Sequence, residues 1–334
     1  MADTDVLMRV NDLVVEYHTR GGTVAAVDDV SLGINKGEVL GLVGESGCGK
    51  STLGRALMRM IQPPGEIVSG ELWFEDVDLL SLPEKEMRKW RGSRVSMIFQ
   101  DPLTSLNPVQ RIADHLVEAI RVHEPSTKRN QAMGRAERLV ERLGIQKRRL
   151  SDYPHQLSGG MRQRTMIGLG LSLNANLIVA DEVTTSLDVI VEAKLVDQLQ
   201  EIREEFGITL LLITHNIGLV AQIADRIAVM YAGKIVEVGS VYEIFDNPLH
   251  PYTQGLLQSV PNIKFNEGGE DLYKMPGEPP DLSRPPTACR FHPRCPHAMP
   301  VCFRVEPELS SSTPGHDSAC WLHQDHPEKE EVAG

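Results

Sequence analysis

The sequence predicts an α/β fold with a largely parallel sheet, on three observations. Short apolar runs that suit buried strands alternate with helical stretches along the chain. A glycine-rich loop at residues 44–51 joins one of these strands to a helix. No apolar run approaches the ~20 residues that a membrane-spanning helix needs.

Several short segments carry this prediction in chain order. The expected strands lie at residues 13–17, 25–32, 38–43, 70–80 (a strand pair), 177–180, 208–214, 227–231 and 234–238. The expected helices lie at about 50–60 and 189–206, and residues 112–143 change to helical periodicity. The last of these predicts an inserted helical subdomain at about 110–172.

Composition and charge narrow the possible functions. The chain has 334 residues, 41% of them hydrophobic, and a formal net charge of −12. This balance disfavours general nucleic-acid binding, which uses a basic surface. The N-terminus lacks a cationic region followed by an apolar one, so we expect no secretory signal and a cytoplasmic protein.

The glycine-rich loop predicts an ATP site. It fits the pattern G-x-x-x-x-G-K-[ST] and lies between a predicted strand and a predicted helix, as that pattern requires. Its residues are Gly44, Glu45, Ser46, Gly47, Cys48, Gly49, Lys50 and Ser51, and Thr52 follows. The glycines let backbone N–H groups surround phosphate oxygens. Lys50 should reach the β- and γ-phosphates, and Ser51 should bind Mg²⁺.

Two further elements point to the same chemistry. The apolar strand at 177–180 runs into Asp181 and Glu182, which suit a ligand to Mg²⁺ and a general base for the attacking water. Taken alone, the strand could end in a solvated acidic turn. At Ser158, Gly159 and Gly160 a second glycine-rich segment precedes a helix and predicts another anion site. One chain has no local need for two such sites, whereas two chains arranged head to tail do.

Residues 7 to about 260 resemble the nucleotide-binding subunit of an ATP-binding cassette (ABC) transporter, whose signature is the LSGGM run at 157–161. The resemblance implies a P-loop NTPase fold with a RecA-like core, an antiparallel β subdomain and an inserted helical subdomain. It implies that Tyr17 stacks on adenine and that Gln100 links Mg²⁺ and water to the membrane-domain contact. It also implies that Asp188, in the Ser-Leu-Asp run at 186–188, crosses the dimer interface and that His215 contacts the γ-phosphate.

One residue departs from the family pattern. The family usually has proline after the catalytic acid, and this chain has Val183. The change frees a backbone dihedral but removes no reacting group, so we expect altered rigidity at most.

Two segments, at 101–108 and 247–253, resemble the oligopeptide and dipeptide importer branch, which also contains nickel and some oligosaccharide importers. The branch implies a second ATPase subunit, with a heterodimer expected and a homodimer as the alternative. It also implies two membrane-spanning permeases and an extracytoplasmic binding protein, with this chain peripheral at the cytoplasmic face of the membrane. A soluble ABC ATPase and a non-catalytic regulatory subunit are the competing interpretations.

The amino-acid composition changes in the C-terminal part of the chain. We predict a domain at 1–260 followed by a small Cys-rich appendage at 261–334. The appendage is too poor in apolar residues to fold well without a stabilising cross-link or bound metal. It contains Cys289, Cys295, Cys302 and Cys320. Clustered cysteines in a cytoplasmic protein indicate a metal, and their chemistry fits either Zn²⁺ or an iron–sulfur cluster. The segment at 289–296 resembles that of importer subunits that hold a [4Fe–4S] cluster, which implies the cluster here.

Overall fold

A computed structural model describes residues 5–99, 105–183, 189–259 and 275–325. Its strands are β1 (Val6–Thr19), β2 (Gly22–Asn35), β3 (Val39–Val43), β4 (Gly65–Phe74), β5 (Val77–Asp78), β6 (Val95–Ile98), β7 (Leu177–Asp181), β8 (Thr209–Thr214), β9 (Arg226–Tyr231), β10 (Lys234–Ser240), β11 (Ser310–Thr313) and β12 (His316–Ser318). Its helices are α1 (Lys50–Leu57), α2 (Glu84–Trp90), α3 (Ile112–His123), α4 (Arg129–Arg142), α5 (Gly159–Leu171), α6 (Val189–Phe206), α7 (Ile217–Ile223), α8 (Val241–Asp246) and α9 (Pro251–Gln258).

The chain divides into two compact units. The first unit comprises residues 1–7, 34–38 and 81–213, and the second comprises residues 8–33, 39–80 and 214–334. Within the described ranges, no helix combines the length and the hydropathy that crossing a membrane requires.

In the first unit, β7 lies between β6 and β8 and runs parallel to both. Every residue of these three strands is buried, and their apolar runs are typical of a parallel sheet covered on both faces. Helices α3 and α4 pack through Val117, Ile120 and Ala132, and their apolar positions recur at helical spacing. The region predicted as helical at 112–143 is therefore two helices, broken at residues 124–128.

The second unit contains an antiparallel sheet in the order β2-β1-β4-β5. Its inward-facing residues alternate along the strands, as Leu13 and Val15 do in β1, which are fully buried. The strands predicted at 13–17 and 25–32 are present but longer than expected. A second sheet has the order β11-β12-β10-β9-β3, with β3 parallel to β9 and β9 antiparallel to β10. The predicted hairpin around Gly233 is formed, and Ala232 and Gly233 both have positive φ, as a two-residue hairpin turn requires.

The C-terminal residues are built into this second sheet. Strand β12 pairs antiparallel with β10, with Glu237 opposite Ser318, and β11 pairs with β12. The prediction of a separate Cys-rich appendage is therefore not supported. Phe291 is buried and its ring contacts those of Tyr231 in β9 and Tyr252 in α9, so this segment packs on earlier elements of the second unit and does not form a core of its own. The boundary predicted at 260/261 lies in the range 260–274, outside the described residues, and stays a prediction.

Candidate active site

The glycine loop follows β3 and leads into α1, the context that the sequence predicted. Gly44 and Gly49 have φ values of 155° and 111°, in the region that favours glycine. A Cβ atom on Gly44 would lie 2.1 Å from the carbonyl oxygen of Met230, and one on Gly49 would lie 2.0 Å from that of Ala26. These two backbone carbonyl groups therefore leave no room for a side chain, and only glycine fits at either position.

Lys50 holds the two ends of the loop together. Its side chain is buried, and Nζ donates to the carbonyl oxygens of Gly44 at 2.8 Å and Glu45 at 2.9 Å. Burial raises the pKa of the Cys48 thiol, and the Lys50 charge opposes that rise. Ser46 and Gly47 are exposed. The loop thus presents an exposed turn with a buried ammonium group behind it.

Helix α1 begins directly at this lysine. Its N-cap is Gly49, and no side chain caps the helix N-terminus. A helix N-terminus directs its first N–H groups outward, which suits an anion such as phosphate. Ser51 and Thr52 are partly buried in the first turn.

Tyr17, the predicted adenine contact, lies in the second unit near the end of β1. Its register partner on β4 is Gly65, where a Cβ atom would lie 2.6 Å from Cε1 of the tyrosine ring. The ring is therefore seated across a glycine, with part of its surface exposed. An exposed aromatic surface of this kind can accept a stacked base.

The two predicted acids lie in the first unit at the end of β7. Asp181 is 1% exposed and is the last residue of the strand. Glu182 follows with a φ of 47°, and its N–H donates to the carbonyl oxygen of Ile213 at 2.8 Å. A glutamate in this region is conformationally strained, which is frequent at functional sites. Val183, in place of the family's proline, is buried.

The signature segment forms the start of α5. Ser158 is the N-cap residue, and its hydroxyl accepts from the Met161 N–H at 3.4 Å. Ser158 and Gly159 are exposed, and nothing lies within 4 Å of a Cβ built on Gly159. The helix N-terminus therefore faces open space.

Of the remaining predicted residues, the structure describes His215 but not Gln100 or Asp188. His215 is exposed and directly follows β8. Asn216, next in the chain, caps α7 by accepting from the Leu219 N–H at 3.3 Å. Gln100 and Asp188 lie outside the described residues.

Among the described residues, the side chains of Tyr252 and Arg294 contact the phosphate loop although the motifs do not include them. The hydroxyl of Tyr252 accepts from the Glu45 N–H at 2.8 Å. The guanidinium of Arg294 donates to both oxygens of the Glu45 carboxylate, at 2.7 and 3.0 Å. Tyr252 belongs to the segment at 247–253 that resembles the importer branch, and it lies in the first turn of α9. A contact between residues more than 200 positions apart leaves no signal in one sequence.

The four C-terminal cysteines line one small cavity of about 10 Å³, together with His250, His292 and His297. All four are free thiols. Burial raises the pKa of Cys289 to about 11 and that of Cys320 to about 12, and the neighbouring cysteines add to both shifts. Among the described residues, however, no three His, Cys, Asp or Glu side chains are arranged to hold a metal ion. The predicted [4Fe–4S] cluster is therefore not supported by this arrangement.

Comparison with known proteins identifies the family. Residues 27–185 match the ABC transporter family, and residues 236–302 match the oligopeptide/dipeptide transporter C-terminal region. The chain is 44% identical to the oligopeptide transport ATP-binding protein OppD of Bacillus subtilis (strain 168), over 97% of this chain and 91% of that protein. The present chain therefore belongs to the family of ABC transporter ATP-binding proteins. The predicted resemblance to this family and to its oligopeptide/dipeptide branch is confirmed.

Other relatives agree with this assignment. The dipeptide transport ATP-binding protein DppD of the same Bacillus subtilis strain is 43% identical, over 98% of each chain. Among solved structures, the dimeric bacterial ABC transporter cassette MJ0796 matches with a TM-score of 0.64 and 25% identity, over 70% of this chain and 98% of that one. The predicted α/β fold of this ABC ATPase class is confirmed.

Proposed function

We propose that the chain is the ATP-hydrolysing subunit of an importer that moves dipeptides and oligopeptides across the cell membrane. The observation that carries the proposal is the phosphate loop, in which Gly44 and Gly49 leave no room for a side chain and Lys50 donates to two of the loop's own carbonyl oxygens. The relatives named for oligopeptide and dipeptide transport align along nearly the whole chain, which supports the peptide substrate.

In this proposal the first step is ATP binding by the second unit. The N–H groups of residues 44–52 surround the phosphates, Lys50 exchanges its loop carbonyls for phosphate oxygens, and the Tyr17 ring takes the adenine. Ser51, Asp181 and Gln100 would hold Mg²⁺, which would neutralise charge on the β- and γ-phosphates.

Hydrolysis then depends on Glu182 and His215, which directly follow strands β7 and β8. We assign Glu182 as the general base for the attacking water and His215 as the contact to the γ-phosphate. The left-handed backbone at Glu182 supports its role, because strained backbone is frequent at functional sites and the hydrogen bond to Ile213 holds this backbone in place. Catalysis of this kind is positioning combined with charge stabilisation.

We also propose that two ATPase subunits share each site. The start of α5 at Ser158–Gly160 is an exposed anion-binding terminus, which suits the γ-phosphate held by a second subunit. Asp188 would cross the interface beside it. The similarity to a dimeric cassette supports this arrangement. The second subunit is expected to be a different chain.

The other expected partners follow from the branch. They are two membrane-spanning permeases and an extracytoplasmic binding protein, with this chain attached at the cytoplasmic face. Nickel and oligosaccharides are the alternative substrates.

For the cysteines we keep a [4Fe–4S] cluster as a proposal, with Zn²⁺ as the alternative. The reason for the proposal is the chemistry of four free thiols that line a single cavity, and not their present geometry, which forms no metal-binding group among the described residues. No step of ATP hydrolysis depends on the cluster.

The variant Glu182→Gln tests the catalytic assignment. It keeps the shape of the side chain and removes the base, so hydrolysis should fall by about 100-fold or more while ATP binding is retained. The measurement is phosphate release by the purified full complex, together with nucleotide affinity from a fluorescent ATP analogue.

Glu201→Gln is the matched control, because it makes the same change at an exposed position of α6. It should hydrolyse ATP like the wild type. Equal turnover by Glu182→Gln and the wild type would show that Glu182 is not the base.

A further inference from the structure

Arg294 connects the cysteine-bearing segment of the C-terminal part to the phosphate loop. It ends a 3₁₀ turn at His292–Arg294, next to Cys295. Its side chain is 5% exposed, and that of its partner Glu45 is 26% exposed. A nearly buried ion pair therefore joins two segments that are 249 residues apart in sequence.

The geometry of Arg294 leaves it little freedom. Nε donates to the carbonyl oxygen of Pro276 at 2.9 Å, and Nη1 also donates to the Tyr231 hydroxyl at 3.3 Å. The two terminal nitrogens form a bidentate pair with Glu45. Such a fork fixes orientation as well as charge, because both carboxylate oxygens are held in one plane.

Glu45 is consequently fixed at each of its polar groups. Arg294 holds the carboxylate, the Tyr252 hydroxyl accepts from the N–H, and the carbonyl oxygen accepts from Lys50. The last of these is the ammonium group assigned to the ATP phosphates. A shift of Glu45 therefore moves a hydrogen-bond partner of the phosphate-binding lysine.

Electrostatics give the pair a second effect. ATP brings several negative charges to a loop that already carries the Glu45 carboxylate, and like charges in a poorly solvated place repel. Arg294 neutralises that carboxylate. Without it, the loop would present an unpaired negative charge to an anionic ligand.

From these contacts we propose that Arg294 is a positioning residue for ATP, through which the C-terminal segment sets the affinity of the phosphate loop. The proposal rests on the ATP site proposed above. It adds a role for residues 275–325 in nucleotide binding, independent of any metal at the cysteines.

The test is a double-mutant cycle on the purified full complex. Arg294→Met removes the charge and keeps the length of the chain, so the KM for ATP and the dissociation constant of a fluorescent ATP analogue should rise about tenfold, with kcat changed much less. Arg294→Lys should give a smaller rise, because an ammonium group cannot form the fork.

Glu45→Gln combined with Arg294→Met provides the decisive comparison. Removal of the unpaired carboxylate should restore most of the ATP affinity lost in Arg294→Met, because the repulsion is gone. A merely structural role for Arg294 predicts no such rescue.

Arg290→Met is the matched control. Arg290 lies in the same segment, but it pairs with Asp28 and the carbonyl oxygen of Ala232, away from Glu45. An equal rise in KM for Arg290→Met and Arg294→Met, or no rescue in the double variant, would overturn the inference. Failure of the wild type to bind ATP would instead overturn the proposed function.

Discussion

At the scale of single residues, Glu45 shows how a position that a motif leaves open can matter. The G-x-x-x-x-G-K-[ST] pattern accepts any residue there. In this chain the carboxylate is paired with Arg294, and the backbone is held by Tyr252 and Lys50. The motif predicts the glycines and the lysine from a short local pattern, and their roles in binding ATP stay predictions. The residues that support the loop come from distant parts of the chain, where no spacing rule applies.

A second prediction at the scale of residues concerns metal binding by the four C-terminal cysteines. Burial raises the pKa values of the Cys289, Cys295 and Cys320 thiols, and such thiols lose a proton most readily when a cation takes its place. If the [4Fe–4S] proposal holds, anaerobically purified chain should contain about four iron atoms and absorb visible light, and Cys295→Ser should lose most of the iron. Metal analysis and the visible spectrum measure both.

Cys48→Ser is the control, because Cys48 lies in the phosphate loop and should leave the iron content unchanged. About one zinc atom in place of iron would select the alternative ligand. A chain with neither metal would show that the four thiols stay unligated.

At the scale of elements, one buried ion pair joins three parts of the second unit. Glu237 on β10 and His316 on β12 are 0% and 1% exposed at their side chains, and His316 Nε2 lies 2.8 Å from Glu237 Oε1. The Glu237 carboxylate also accepts from the N–H groups of Leu249 and His250, just before α9. The pair therefore anchors both the C-terminal strand and the helix that bears Tyr252.

This pair predicts a pH dependence of stability. Hydrogen bonding to Glu237 raises the pKa of His316 above 6.5, so its stabilisation is complete below about pH 6.5 and is lost as pH rises through the raised pKa. The pKa of Glu237 is lowered from 4.5, although burial opposes this, because hydrogen bonds from His316 and its other donors favour the charged form. The contribution of Glu237 is thus lost as pH falls through that lowered value. His250 has a pKa of about 4 and stays neutral across the range between.

His316→Gln should lower the free energy of unfolding by about 1–3 kcal/mol near pH 6 and by less at pH 9. Denaturant unfolding across this pH series measures the difference between variant and wild type. Glu243 and Asp317 also act on His316, so each belongs in a control variant. A difference that does not change with pH would show that the imidazole charge contributes nothing.

The elements differ in how far the sequence could predict them. Helix α6 was predicted at the bounds where it lies, and the β9–β10 hairpin within two residues, because periodicity and turn residues specify them locally. Strands β11 and β12 were missed. Their sequences, Ser-Ser-Ser-Thr and His-Asp-Ser, are polar and become strands only by pairing, β12 with β10 and β11 with β12.

At the scale of the whole molecule, the chain carries one complete phosphate loop and one signature helix whose N-terminal residues Ser158 and Gly159 are exposed. The loop lies in the second unit, whereas the signature and the acids Asp181 and Glu182 lie in the first. Ser158 and Gly159 are exposed at the start of α5, and we propose that they bind a ligand held by another chain. The account therefore predicts that activity belongs to an assembly of subunits rather than to the single chain.

The most direct measurement of the central claim is ATP hydrolysis by the complete complex, purified from native membranes and reconstituted with its binding protein in lipid vesicles. Dipeptides and oligopeptides should each be supplied in turn, with nickel and an oligosaccharide as controls. The account predicts that peptides stimulate hydrolysis several-fold, that the controls do not, and that Glu182→Gln abolishes the response. Stimulation by nickel or the oligosaccharide alone, or hydrolysis that no substrate changes, would contradict it.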